Sequence, residues 1–88
     1  MTEELIGGRT DGLLIGERLW RGVVCHWNGE SWRVCEAVTK GAIKCPFSRR
    51  TMQIFHPGDF VLEREEEGYL VAVAMSQDDF NARVQVVA

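Results

Sequence analysis

Eighty-eight residues, 45% of them apolar and 26% charged, with a formal charge of −3, describe one small globular domain and exclude a disordered chain. No apolar run approaches the roughly 20 residues that span a bilayer, so no membrane partner is expected. Charge is divided: residues 1–58 carry eight cations and six anions, and residues 59–88 carry two cations and seven anions. That balance argues against general binding to duplex DNA or anionic membranes, which scales with the cations presented, while leaving room for a local basic patch.

The N-terminus, Met1-Thr2-Glu3-Glu4, lacks the basic-then-apolar order of a secretion signal. Cys25, Cys35 and Cys45 form an odd set with no C-x-x-C pair, which favours reduced thiols and a cytoplasmic location over a disulfide framework. Four glycines in residues 1–16 (Gly7, Gly8, Gly12, Gly16) make a rigid element unexpected before about Gly12. Residues 1–12 therefore read as a flexible glycine-containing arm and residues 13–88 as a single β-barrel domain. Leu13-Leu14-Ile15 is a short strand candidate ending at Gly16.

The best-defined stretch is residues 19–38, two strands hinged at Asn28-Gly29, the dipeptide of a type I′ hairpin turn. A two-residue turn sets Trp27 opposite Glu30, Cys25 opposite Trp32, Val23 opposite Val34 and Arg21 opposite Glu36. One face then carries Val23, Cys25, Trp27, Trp32, Val34 and Val38 and reads as core. The other carries Trp20, Val24, His26, Arg33, Cys35 and Ala37 and is mixed, which suits a curled barrel or sandwich.

Thr39-Lys40-Gly41 reads as a turn, residues 42–44 as a short strand stopped by Cys45-Pro46, and residues 47–50 as a loop. Residues 51–55 form a strand, and His56-Pro57-Gly58-Asp59 is a turn. Residues 60–63 and 69–75 make a second hairpin across a loop at 64–68, whose three consecutive carboxylates must be exposed. Ser76 can cap one helical turn near residues 77–81, and residues 83–87 close the chain as a strand. Five to seven short strands with frequent turns predict an all-β fold, a small SH3-like or similarly curled barrel. Gly58-Asp59-x-Val61, Gly68, Val71-x-Val73 and Arg83-Val84-x-Val86 together resemble the pattern of SH3-like barrels, including the KOW type. Leu70 and Ala72 stand where KOW modules carry glycine, and the resemblance implies a fold, not a role.

Structural zinc needs four converging ligands, usually in two close pairs, and the cysteines here lie ten residues apart. Cys25 and His26 point to opposite faces of one strand, and Cys25 and Cys35 fall on opposite faces of the hairpin. No metal or cofactor is expected. The same divergence argues against a Cys–His nucleophile, leaving Cys45 and His56 as the one pair whose meeting depends on the fold, and the chain reads as non-enzymatic.

Two binding readings remain. Residues 40–50 hold Lys40, Lys44, Arg49 and Arg50 around Phe47 with no acid, the recipe for gripping single-stranded RNA or DNA. Opposed charge in the two halves and the mixed face at Trp20, His26 and Arg33 favour instead an adaptor acting through protein contacts, including self-association. That is the leading expectation; the nucleic-acid module is the alternative, and a small structural component of a larger assembly such as a phage particle is a further one. The candidate binding residues are Trp20, His26, Arg33, Lys40, Lys44, Phe47, Arg49 and Arg50.

Overall fold

The computed structural model describes residues 5–6, 9–10, 14–45 and 47–87, at positions 5, 6, 9, 10, 69 and 87 for the backbone alone. Among these the chain forms ten strands and one helix: β1 (Leu5–Ile6), β2 (Arg9–Thr10), β3 (Leu14–Ile15), β4 (Arg18–Trp27), β5 (Glu30–Ala37), β6 (Gly41–Lys44), β7 (Thr51–Phe55), β8 (Phe60–Glu66), β9 (Tyr69–Met75), α1 (Gln77–Arg83) and β10 (Gln85–Val87). They build two sheets. In the larger, β1 and β10 both pair with β4, followed by β5, β8 and β9; the smaller runs β2-β3-β6-β7. The all-β expectation holds, with more and shorter strands than expected because segments 5–6 and 9–10 pair with β4 and β3.

The first hairpin forms as its sequence dictates. Asn28 (φ 56°) and Gly29 (φ 80°) take the conformation of a type I′ turn, and Trp27, Cys25 and Val23 face Glu30, Trp32 and Val34. The pairing then departs from a regular ladder, because Arg21 and Gly22 bulge out of β4 and bring Trp20 opposite Cys35 and Arg18 opposite Ala37. Gly22 sits at φ 72°, where a side chain would be strained. An insertion of two residues preserves which face each side chain takes but slides the first half of β4 along its neighbour. Arg21 still reaches Glu36 (Nη1–Oε1 3.5 Å), although Leu19 occupies the position opposite it.

The large sheet is packed on both faces. Leu14, Cys35, Ala37, Ile43, Phe55 and Val61 form one core between the two sheets, with Trp20, Leu70, Ala72 and Ala74 against it. Cys25, Trp32, Val34, Leu62 and Phe80 form a second core under α1. Consecutive residues of β5 (Val34, Cys35) and β8 (Val61, Leu62) thus feed opposite cores, as the two-residue period of a strand requires. Gly41 allows close contact in the first core: the Ile15 carbonyl and the Phe55 ring occupy the space a Cβ would need.

Three expectations shift. Val38, assigned to the core-like face, is 45% exposed, because β5 ends at Ala37. The loop at 64–68 shrinks to a turn at Glu67 (φ 51°) and Gly68 (φ 86°), since β8 continues to Glu66 and pairs it with Tyr69. The helical turn extends to residue 83. Ser76 caps it by accepting from the Asp79 N–H (3.1 Å), and buried Phe80 docks it edge-on against Phe60 at 4.6 Å. No helix among the described residues is long and apolar enough to cross a membrane.

Candidate functional site

The predicted binding residues do not form one surface. Trp20 is half-buried against the inter-sheet core. His26 and Arg33 are exposed on the part of the large sheet that the smaller sheet leaves uncovered, where His26 Nδ1 lies 3.1 Å from Ser31 Oγ. Lys44, Phe47, Arg49 and Arg50 gather at the far end of the β6–β7 hairpin. Lys40 precedes the opposite end, because Gly41 pairs with Phe55 and Lys44 with Thr51. The same register separates Cys45 from His56, which flank opposite ends of the hairpin, and no group of three potential metal ligands occurs among the described residues.

Two hollows result. The larger, about 380 Å³, lies beside Val24, Ser31 and Arg33 and carries charges of both signs. Much of that charge is already matched: Glu63 binds Arg18, while Arg64 reaches Glu30 and Glu66 (2.8 Å each) and covers the Trp32 ring at 5.0 Å. Trp32 is fixed in turn by its indole N–H donating to the Trp27 carbonyl (3.0 Å), with the two rings 5.7 Å apart. These contacts describe a scaffold more than an open receptor.

The smaller hollow, about 280 Å³, is an apolar groove between the end of the β6–β7 hairpin and β9. Buried Ile43 and half-buried Leu70 and Ala72 line its interior; Met52 and Phe47 on its rim are 66% and 74% exposed. Lys44 is the one charged residue among the described residues lining it. The loop beyond is closed by backbone bonds, from the Cys45 N–H to the Arg50 carbonyl and from the Arg49 N–H to the Cys45 carbonyl (2.9 Å each). It places Arg49 and Arg50 in solvent next to the rim. Cys45 also lines the groove, and hydrogen bonds from the Ser48 N–H, the Ser48 hydroxyl and the Phe47 N–H hold its thiol below the ordinary value.

Phe47 and Lys44 were visible in the sequence as a cationic, aromatic loop; Met52, Leu70 and Ala72 were not. The available signal is parity in residues 51–55: Phe55 is a core residue, so Met52 and Ile54, on the other face of the strand, put large apolar groups where water is. Ile54 continues a row with Ala42 and Ile15 across the outside of the small sheet. No family model, curated protein or solved structure matches this chain.

Proposed function

We propose that this chain is a non-enzymatic protein-binding module, a small curled barrel of SH3-like character, that docks an apolar segment of a partner in the groove beside β9. One observation carries the reading. Phe47 and Met52 stand largely in water on the rim of a groove whose interior is apolar and whose surroundings are cationic. Covering both side chains recovers roughly 3–6 kcal/mol before the costs of association, enough for weak, reversible binding and not for a permanent complex. Three free thiols, two of them buried, suit the reducing cytoplasm.

Peptide selection tests the reading directly. Random peptides displayed on phage and panned on the immobilised protein are expected to enrich sequences with large apolar residues, and Met52→Glu is expected to abolish their binding while leaving the far-ultraviolet circular dichroism unchanged. Enrichment of peptides indifferent to Met52→Glu and Phe47→Glu would remove the groove as the site. The exposed Phe47 next to Arg49 and Arg50 also supports a second reading, a grip on single-stranded nucleic acid. Trp20 and Trp32 lend that reading no stacking platform, since both pack into cores. Fluorescence anisotropy with labelled oligo(dT) and oligo(U) at low salt decides it: binding that falls steeply with salt and is lost in Arg49→Glu/Arg50→Glu supports nucleic acid, and a flat titration discards it.

A further inference from the structure

We propose that β9 accepts an added strand: an extended partner segment, apolar side chains alternating with carboxylates, pairs with its open edge at Leu70 and Ala72. This rests on the groove being a protein-docking site and specifies how the partner is held. The orientation of the β9 backbone follows from two independent observations. A two-residue turn makes its flanking residues, Glu66 and Tyr69, a hydrogen-bonded pair, so Val71, Val73 and Met75 direct their backbone groups to β8 and the alternate residues direct theirs outward. The Gln53 amide verifies the parity: its Nε2–H donates to the Ala74 carbonyl (3.0 Å) and its Oε1 accepts from the Ala74 N–H (2.9 Å), on the side away from β8.

Gln53 therefore occupies the edge at Ala74, in the manner of one strand residue, and stops there. Leu70 and Ala72 have the same outward orientation, β9 ends its sheet, and no described backbone bond takes their N–H or C=O groups. Residues 70–73, Leu-Val-Ala-Val, carry neither charge nor proline, the devices that guard an edge against pairing. This edge, which β6 and β7 approach from across the groove, is itself a wall of it. An extended peptide supplies both needs, main-chain bonds for the edge and alternate side chains for the groove. A nucleic acid or a folded apolar surface supplies only one.

Charge selects the peptide further. Lys44 lines the groove, Arg49 and Arg50 adjoin it, and no carboxylate among the described residues lines it. Glu65 pairs with Leu70 on β8 near one end of this edge, and Lys44 supplies a cation for the acidic side chains of the guest. The recognised core is short, bounded by the Glu67–Gly68 turn at one end and the Gln53 clamp at the other.

The probe is a capped synthetic peptide of about seven residues alternating aspartate with leucine and valine, compared with two backbone N-methylated versions, methylated at odd or at even positions. Amide exchange read by NMR is expected to slow by about tenfold or more at Leu70 and Ala72 on saturation, with Val71 and Val73 little changed. One N-methylated frame is expected to bind about tenfold or more weaker than the parent and the other near parent strength, because only one set of peptide amides faces β9. A lysine-for-aspartate peptide is expected to lose about tenfold as well. Ala72→Pro removes an outward N–H without touching a bond to β8 and is expected to weaken binding, with circular dichroism checking its fold. Equal binding of the parent and both methylated frames would overturn strand addition while leaving the groove reading intact. No binding by the parent peptide would overturn the strand-addition proposal, and the Met52→Glu selection would then decide the groove reading on its own.

Discussion

Arg18 and Glu63 are buried together between the sheets, 0% and 3% exposed, with Arg18 Nε 2.6 Å from Glu63 Oε2. Arg18 Nη1 also donates to the Gly16 carbonyl (2.9 Å), while its Nη2 has no partner. The adjacent Cys35 thiol donates to Glu63; burial first, and then the Glu63 charge and that hydrogen bond, push its pKa up to about 12, so it stays a thiol. An ion pair removed from water gains little net stability, yet losing one member strands the other charge. Glu63→Gln is therefore expected to cost about 3–5 kcal/mol, and Arg18→Met with Glu63→Leu to recover most or all of that loss. Urea denaturation of Glu63→Gln, Arg18→Met, Glu63→Leu and the double variant measures this. Additive losses would show that the two charges do not depend on each other. Nothing local in the sequence announced the pair, which spans 45 residues. Glu63 read as one acid among several next to a hairpin tip, and only the two-residue bulge at Arg21 and Gly22 sets Arg18 opposite Ala37 and within reach of it.

Elements whose cause is local were legible. The Asn28–Gly29 turn, the bounds of β7 and β9, and the Ser76 cap all follow from residues within a few positions of each other. What joins distant elements was not, and Gln53 shows why. It looks like an ordinary polar residue of a strand, and only the approach of β7 to β9 turns its amide into a surrogate backbone pair for Ala74. Its two hydrogen bonds are exposed, so each contributes at the low end of the roughly 0.5–1.5 kcal/mol range. Gln53→Ala is expected to destabilise the protein by about 1 kcal/mol and to raise amide exchange at Ala74 selectively, leaving Val73, bonded toward β8, protected. Unchanged exchange at Ala74 would mean that another group covers that edge in solution. The same comparison bears on the groove, since an opened clamp lengthens the free edge from Leu70 and Ala72 to include Ala74.

At the scale of the whole molecule, two cores share one sheet, and whether they melt together follows from how β5 and β8 are built. Val34 and Cys35 are neighbours in β5 but lie in different cores, as do Val61 and Leu62 in β8. Neither core can lose these strands without exposing the other, so the chain should unfold as a single unit despite its two layers. The tryptophans are placed to test this, with Trp20 packed on the inter-sheet core and Trp27 and Trp32 in the core under α1. Replacing Trp27 and Trp32 by phenylalanine leaves Trp20 as reporter of the first core; replacing Trp20 and Trp27 leaves Trp32 as reporter of the second. Phe80, 6% exposed, belongs only to the second core, and Phe80→Ala should remove about 3–5 kcal/mol. In each reporter background that substitution is expected to lower the urea midpoint seen by Trp20 as much as that seen by Trp32, with coincident transitions. A Trp20 transition that keeps its midpoint while the Trp32 transition moves would show that the cores unfold separately. In that case the small sheet, with β6 and β7 and the groove they border, would be a unit able to open without α1.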